Sequence, residues 1–178
     1  RAGRATGAWA AAQILPPGKP AQKNDPPKSP AKRKPDPEKL FADAFQPYHD
    51  ASLNPAVRDE KNPTAFEQFL QFYWENQHLQ ALATFENLSP ALRASDDALF
   101  LKANSLLATG QAAEAVALFE GILANGVSGY TGECRWYLAL CFLKQGKLLE
   151  AKKQLEALAS DDNSPRREAA SKLLEKLR

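Results

Sequence analysis

The chain has 178 residues, of which 44% are hydrophobic and 25% charged, with a formal net charge of +2. That length provides for one ordinary core plus a tail, and no run approaches the roughly eighteen uninterrupted apolar residues of a membrane-crossing helix. The chain begins at Arg1 and holds no methionine, so it reads as a fragment or processed product whose upstream part is expected to carry a signal or an anchor.

Charge and proline divide the chain unevenly. Residues 1–40 hold nine Lys/Arg against three Asp/Glu and eight of the thirteen prolines, whereas residues 41–178 hold fourteen against eighteen. The small overall charge therefore joins a basic arm to a mildly acidic body. The arm, residues 1–37, is expected to be a disordered linker, because its prolines remove backbone donors and it has few large apolar side chains to bury. Its densest part, KSPAKRKPDPEK, residues 28–39, suits attraction to an anionic membrane surface. It lacks the aromatic residues that stack on bases, which disfavours nucleic acid as the partner. An adaptor whose arm associates with anionic lipid or nucleic acid is the second functional reading.

Residues 38–61 come next. Leu40, Phe41, Ala44 and Phe45 share one face of a short amphipathic helix, and Pro47 and Tyr48 continue it as an extended stretch. Between Pro90 and Pro165 there is no proline, as a run of consecutive helices requires. Asn62-Pro63-Thr64 opens a helix to Glu75, and a second runs from Gln77 to Leu88. Ser89-Pro90 interrupts the pattern. Ser95-Asp96-Asp97 caps a helix to Thr109, and Gly110 turns the chain into a partner ending near Asn125. After a loop over 126–132 a helix runs to Gln145, Gly146 turns, and Lys147–Ala159 returns. A last helix over 164–177 starts with Ser-Pro, proline being suited to a first helical position. The body is thus read as seven helices in antiparallel pairs.

Three of these pairs are copies of one pattern. LLATGQAAEAVALFE (106–120), FLKQGKLLEAKKQLE (142–156) and FYWENQHLQALATFE (72–86) align place for place, with Asn76 where the others have glycine. Ala81, Ala115 and Ala151 are equivalent, 34 and 36 residues apart. The units resemble tetratricopeptide repeats (TPRs). Leu138, Ala139, Phe142, Ala151 and Leu155 take the family positions in the third unit. Lys102, Ala103, Leu106, Ala115 and Phe119 take them in the second, and Phe72, Ala81 and Phe85 in the first. Trp136 stands one residue later than the usual tryptophan, Phe69 replaces a small residue, and the usual proline at the repeat end is missing. The resemblance implies an all-α, TPR-type superhelix of about three repeats (62–95, 96–131, 132–163). A capping helix over 164–177 would place Leu173, Leu174 and Leu177 on the last repeat, giving a domain over 62–178. Residues 38–178, with LFADAFQPY at the entry, are similar to bacterial membrane-anchored TPR proteins. The cellular face of the domain is left open.

In such a stack the first helices of the pairs line the concave face, which the resemblance assigns to Phe66, Leu70, Tyr73, Phe100, Asn104, Leu107, Trp136, Leu140 and Leu143. This is an apolar, aromatic groove suited to a protein or peptide ligand. TPRs that clamp C-terminal carboxylates use Lys, Arg and Asn there, and only Asn104 is of that kind. Two arrangements remain open, a groove free for a partner and one filled by the chain itself. Residues 38–48, with Phe41, Phe45 and Tyr48 as docking residues, are expected to dock on the first repeat, Phe41 and Phe45 covering Phe69, leaving the groove vacant. A catalytic role is not expected. His49 and His78 stand at no metal-ligand spacing, and His78 is expected on an exposed helix start. Arg135 beside Cys134 could lower a thiol pKa, but no histidine adjoins it. No phosphate-cradling motif occurs, and neither a cofactor, a metal nor a small-molecule substrate is expected. The reading is a non-catalytic interaction scaffold.

Overall fold

The computed structural model describes residues 35–53, 63–126 and 129–178. The basic arm as far as Lys34 and the helix opener Asn62 lie outside the described residues. Within them the secondary structure is entirely helical: α1 (Pro37–Ala44), a 3-10 turn (Ala51–Leu53), α2 (Ala65–Trp74), α3 (His78–Phe85), α4 (Pro90–Arg93), α5 (Asp96–Ala108), α6 (Ala112–Ala124), α7 (Thr131–Lys144), α8 (Leu148–Ala159) and α9 (Arg167–Lys176). No described helix is long and apolar enough to cross a membrane.

Local chemistry explains the helix starts. The Asp36 carboxylate accepts from the backbone N–H groups of Glu38 and Lys39, and Pro37 occupies the first turn of α1, where its missing N–H costs nothing. Asp36 and Pro37 therefore belong to the body and not to the basic arm. Thr64 and Glu67 form a reciprocal capping box at α2, and Ser95 caps α5. Ser89-Pro90, expected only to break the chain, caps the one-turn helix α4. Ser164-Pro165 does the opposite: proline is not the first helical residue there, and α9 begins two residues later, at Arg167.

Three turns share one hydrogen-bond scheme. Asn76, Gly110 and Gly146 have φ of 59°, 88° and 71°, and each donates its N–H to the carbonyl three residues back. The next residue in each case (Gln77, Gln111, Lys147) donates to the carbonyl five back, at 2.8, 2.7 and 2.8 Å. This left-handed ending satisfies the last carbonyls of a helix and reverses the chain within three residues. It produces the antiparallel pairs α2/α3, α5/α6 and α7/α8. Each helix also packs on the next pair, α3 on α5, α6 on α7 and α8 on α9.

Small side chains set the closeness of these pairs. Ala81, Ala103, Ala115, Ala139 and Ala151 are fully buried, with Phe119 and Leu155 buried beside them. Phe69, also fully buried, stands where the other pairs have alanine and meets Phe85 of α3 edge-on at 5.8 Å. At the C-terminal end Ala170, Leu173 and Leu177 of α9 are buried, and Leu174 is half-buried, so the last pair does not end on an apolar face.

Because Ala139 is fully buried, Ala139→Leu should overpack the third pair and cost about 1–3 kcal/mol. Urea unfolding of the two chains measures this, and an unchanged midpoint would contradict the packing.

Candidate functional site

The inner face is built from α2, α5 and α7, and it is covered. Tyr73, Phe100, Asn104, Leu107, Trp136, Leu140 and Leu143, the sequence-derived groove, are all buried, and even Trp136 retains only 5% of its surface. Phe66 and Leu70 are half-buried. The face is therefore not an open groove in this conformation. Residues 37–50 lie along it as a strap.

The strap runs antiparallel to α7, and its contacts fall on one stripe of that helix. Tyr130, Tyr137 and Lys144 are seven residues apart, two helical turns, and so share a face. At Lys144 the ammonium pairs with Glu38 at 3.0 Å and lies 5.2 Å from the Phe41 ring centroid. At Tyr137 the strap places Phe45, edge-on at 6.4 Å, with Phe41 stacked on Phe45 at 5.1 Å. At Tyr130 it places Tyr48, edge-on at 6.0 Å. Tyr48 also meets Phe100 of α5 edge-on at 5.0 Å, and His49 meets Trp74 of α2 at 4.9 Å. The strap thus crosses from the C-terminal end of α7 to α2.

This placement corrects the expectation that Phe41 and Phe45 cover Phe69. Phe69 has Phe66 and Phe85 as ring neighbours, whereas α1 packs on α7 and α9. An aromatic at position 69 is accommodated within its own helix pair, so it leaves no defect for the strap to fill.

Two hydrogen bonds hold the extended part. Tyr137 donates its hydroxyl to the Gln46 carbonyl at 2.8 Å, and Tyr73 donates to the Tyr48 carbonyl at 2.9 Å. Burial pushes both hydroxyls well above the ordinary tyrosine range, so each remains a protonated donor. The two carbonyls are two residues apart, and the body reads the strap through its main chain. Tyr137 and Tyr130 were missed in the sequence because the inner face was drawn through Trp136 and Leu140. The seven-residue spacing with Lys144 is the signal that could have found them.

Arg166, just before α9, forms a bidentate pair with Glu133 in the first turn of α7, with Nε–O distances of 3.0 and 2.8 Å. Its guanidinium lies 5.5 Å from the Trp136 ring centroid. A cavity of about 450 Å³ lies beside this pair, bordered by Gln46, Pro47, His49, Trp136, Tyr137 and Arg166. Among the described residues two buried polar atoms lack a hydrogen-bond partner, Asn104 Oδ1 and Gln145 Nε2. Asn104 is one turn along α5 from Phe100, and its Nδ2 donates to the Phe100 carbonyl at 3.0 Å.

The residues considered for chemistry fall differently. Cys134 and Cys141 are buried and free, and burial pushes both thiols up to about 12, the opposite of the lowering that an adjacent Arg135 would exert. Arg135 instead reaches Gln154. His78 is not exposed: it is half-buried against Tyr73, with ring centroids 5.5 Å apart, and its Nδ1 is 3.4 Å from Ser105 Oγ. No protein-family model, no curated protein and no solved structure matches this chain.

Burial, followed by the charge of His49, holds His78 below its ordinary pKa of 6.5. As pH falls through that value the unfolded chain takes up a proton that the folded chain resists, so stability drops until the folded pKa is reached. Urea midpoints at neutral pH and about pH 5 should therefore differ more for the natural chain than for His78→Gln. Equal differences would refute the assignment.

The orphaned Asn104 acceptor costs stability, since a buried unpaired polar group forfeits about 1–3 kcal/mol of hydration. Asn104→Leu should leave the melting temperature unchanged or raise it. A drop of several degrees would mean that the amide has a partner in solution.

Proposed function

We propose that this chain carries a TPR-type protein-interaction module whose inner face binds an extended, aromatic peptide segment. The repeat reading is supported by the three like turns at Asn76, Gly110 and Gly146, by the buried alanines at matching places, and by the stacking of each helix on the next. A stack of this kind buries a continuous core and offers one long face for binding.

The observation that carries the binding reading is the pair of tyrosine hydroxyls donating to the carbonyls of Gln46 and Tyr48. Buried tyrosines bring large apolar area together with a polar tip that must find an acceptor. An extended peptide supplies such acceptors from its main chain whatever its side chains are, and ring pockets then select among sequences. The role is that of a non-catalytic scaffold or adaptor.

Selection of random peptides on the full chain tests this. Measured on a Phe41→Ala/Phe45→Ala background, in which residues 37–50 no longer compete for the same hydroxyls, peptides that use the inner face should lose about five- to tenfold in affinity for each of Tyr73→Phe and Tyr137→Phe, the net worth of roughly one hydrogen bond of about 1 kcal/mol. Recovered peptides indifferent to both substitutions would place the binding surface elsewhere and refute the reading.

A further inference from the structure

Residues 37–50 have the attributes of a ligand more than those of a core element. The strap is joined covalently to the helix pairs through residues 51–62. Its outer surface is wet: Ala42, Asp43, Gln46 and His49 are exposed, and Ala44, Phe45, Pro47 and Tyr48 are half-buried. Its polar attachments include two hydroxyl-to-carbonyl bonds and one ion pair whose Glu38 side chain is 79% exposed. Such an exposed pair contributes little.

Nor does the strap satisfy everything around it. Gln145, whose Nε2 has no partner among the described residues, lines a cleft with Asp36, Pro37 and Glu38 at the strap's first turn. Asn104, whose Oδ1 likewise has none, lies one turn beyond the Phe100 ring on which Tyr48 rests. An occupant offering an acceptor at the first place and a donor at the second would make bonds that the strap does not make.

From this we infer that residues 37–50 are an intramolecular stand-in for the module's peptide ligand, and that a partner segment of the same chemistry displaces them. That chemistry is a helical turn with two aromatic residues four apart, as Phe41 and Phe45 are, followed by an extended stretch with proline and an aromatic, as in Gln46-Pro47-Tyr48. The inference rests on the binding reading above and adds its regulation. Because the strap is present on every molecule, a partner's apparent affinity falls by the fraction of chains in which the strap is detached. An unstrapped chain binds the same peptide more tightly without any new contact.

The probe is a fluorescein-labelled peptide of residues 36–50, titrated against the full chain and against Phe41→Ala/Phe45→Ala. The double variant removes the two rings that hold α1 on α7 and alters no residue of the inner face. It should bind the peptide at least tenfold more tightly than the natural chain does. Ala42→Pro is the second variant, since it breaks α1 at an exposed position without touching the body, and it should show the same gain. Equal affinity for natural and unstrapped chains overturns the inference, as does no binding to an unstrapped chain that keeps its helical circular dichroism. Loss of cooperative unfolding in both variants also overturns it, because the strap would then be part of the core. A selected peptide that depends on Tyr73 and Tyr137 yet binds natural and unstrapped chains equally sinks the stand-in and leaves the binding reading intact. Peptides that ignore the tyrosines sink the binding reading itself.

Discussion

Everything in this fold depends on covering one apolar face. Stacked helix pairs bury the surface between them but leave the inner row of α2, α5 and α7 with rings and leucines that water does not favour. Phe100, Leu107, Leu140 and Leu143 are fully or almost fully buried, and residues 37–50 help to cover that row. The covering must also answer a polar demand. Tyr73 and Tyr137 bring hydroxyls into this low-polarity space, and a buried hydroxyl without an acceptor costs more than a satisfied one contributes. Extended backbone supplies acceptors at regular spacing, and so the strap leaves helical geometry after Ala44, just where the hydroxyls need its carbonyls.

The aromatic arrangement over this face is continuous. Phe100 stacks on Tyr130 at 4.4 Å, Phe119 stacks on Tyr137 at 5.9 Å, and Tyr48 approaches Phe100 and Tyr130 edge-on. Ring pairs of this kind contribute roughly 0.5–1.5 kcal/mol beyond the area they bury. They also impose a geometry, since an edge-on ring has a preferred approach that an aliphatic side chain lacks. The inner face therefore favours particular rings at particular heights, and the rings of residues 37–50 meet that geometry.

Ionic and polar groups act mainly at the margins. Glu133 and Arg166 tie the start of α7 to the start of α9, and Arg166 shields Trp136. The thiols of Cys134 and Cys141 lie within the packing of α7 and are held neutral by burial. The Tyr73 and Tyr137 hydroxyls that meet the strap donate to its main chain, and Lys144 pairs with its Glu38 side chain. Asn104 stands out as a polar residue kept in a buried place with its acceptor unanswered. A leucine there would avoid that cost.

How much of this was legible in the sequence follows from the range of the forces involved. Helix pairing was readable because turns and periodicity are local: a glycine or asparagine at 76, 110 and 146, with alanine five residues on, specifies a left-handed ending and a close partner helix. The amphipathic character of residues 37–48 was readable for the same reason, down to the pair Phe41 and Phe45. Where that segment lands was not. Phe69 looked like an oversized ring in need of a cover only because its pairing with Phe85 is a contact between helices. The stripe of Tyr130, Tyr137 and Lys144 became the track of the strap only once Phe100 and Phe119 had placed their rings beside it. Local propensity therefore determined which elements form. The tertiary structure decided which apolar face each one covers, because that choice depends on ring geometry and acceptor spacing between residues up to 106 positions apart.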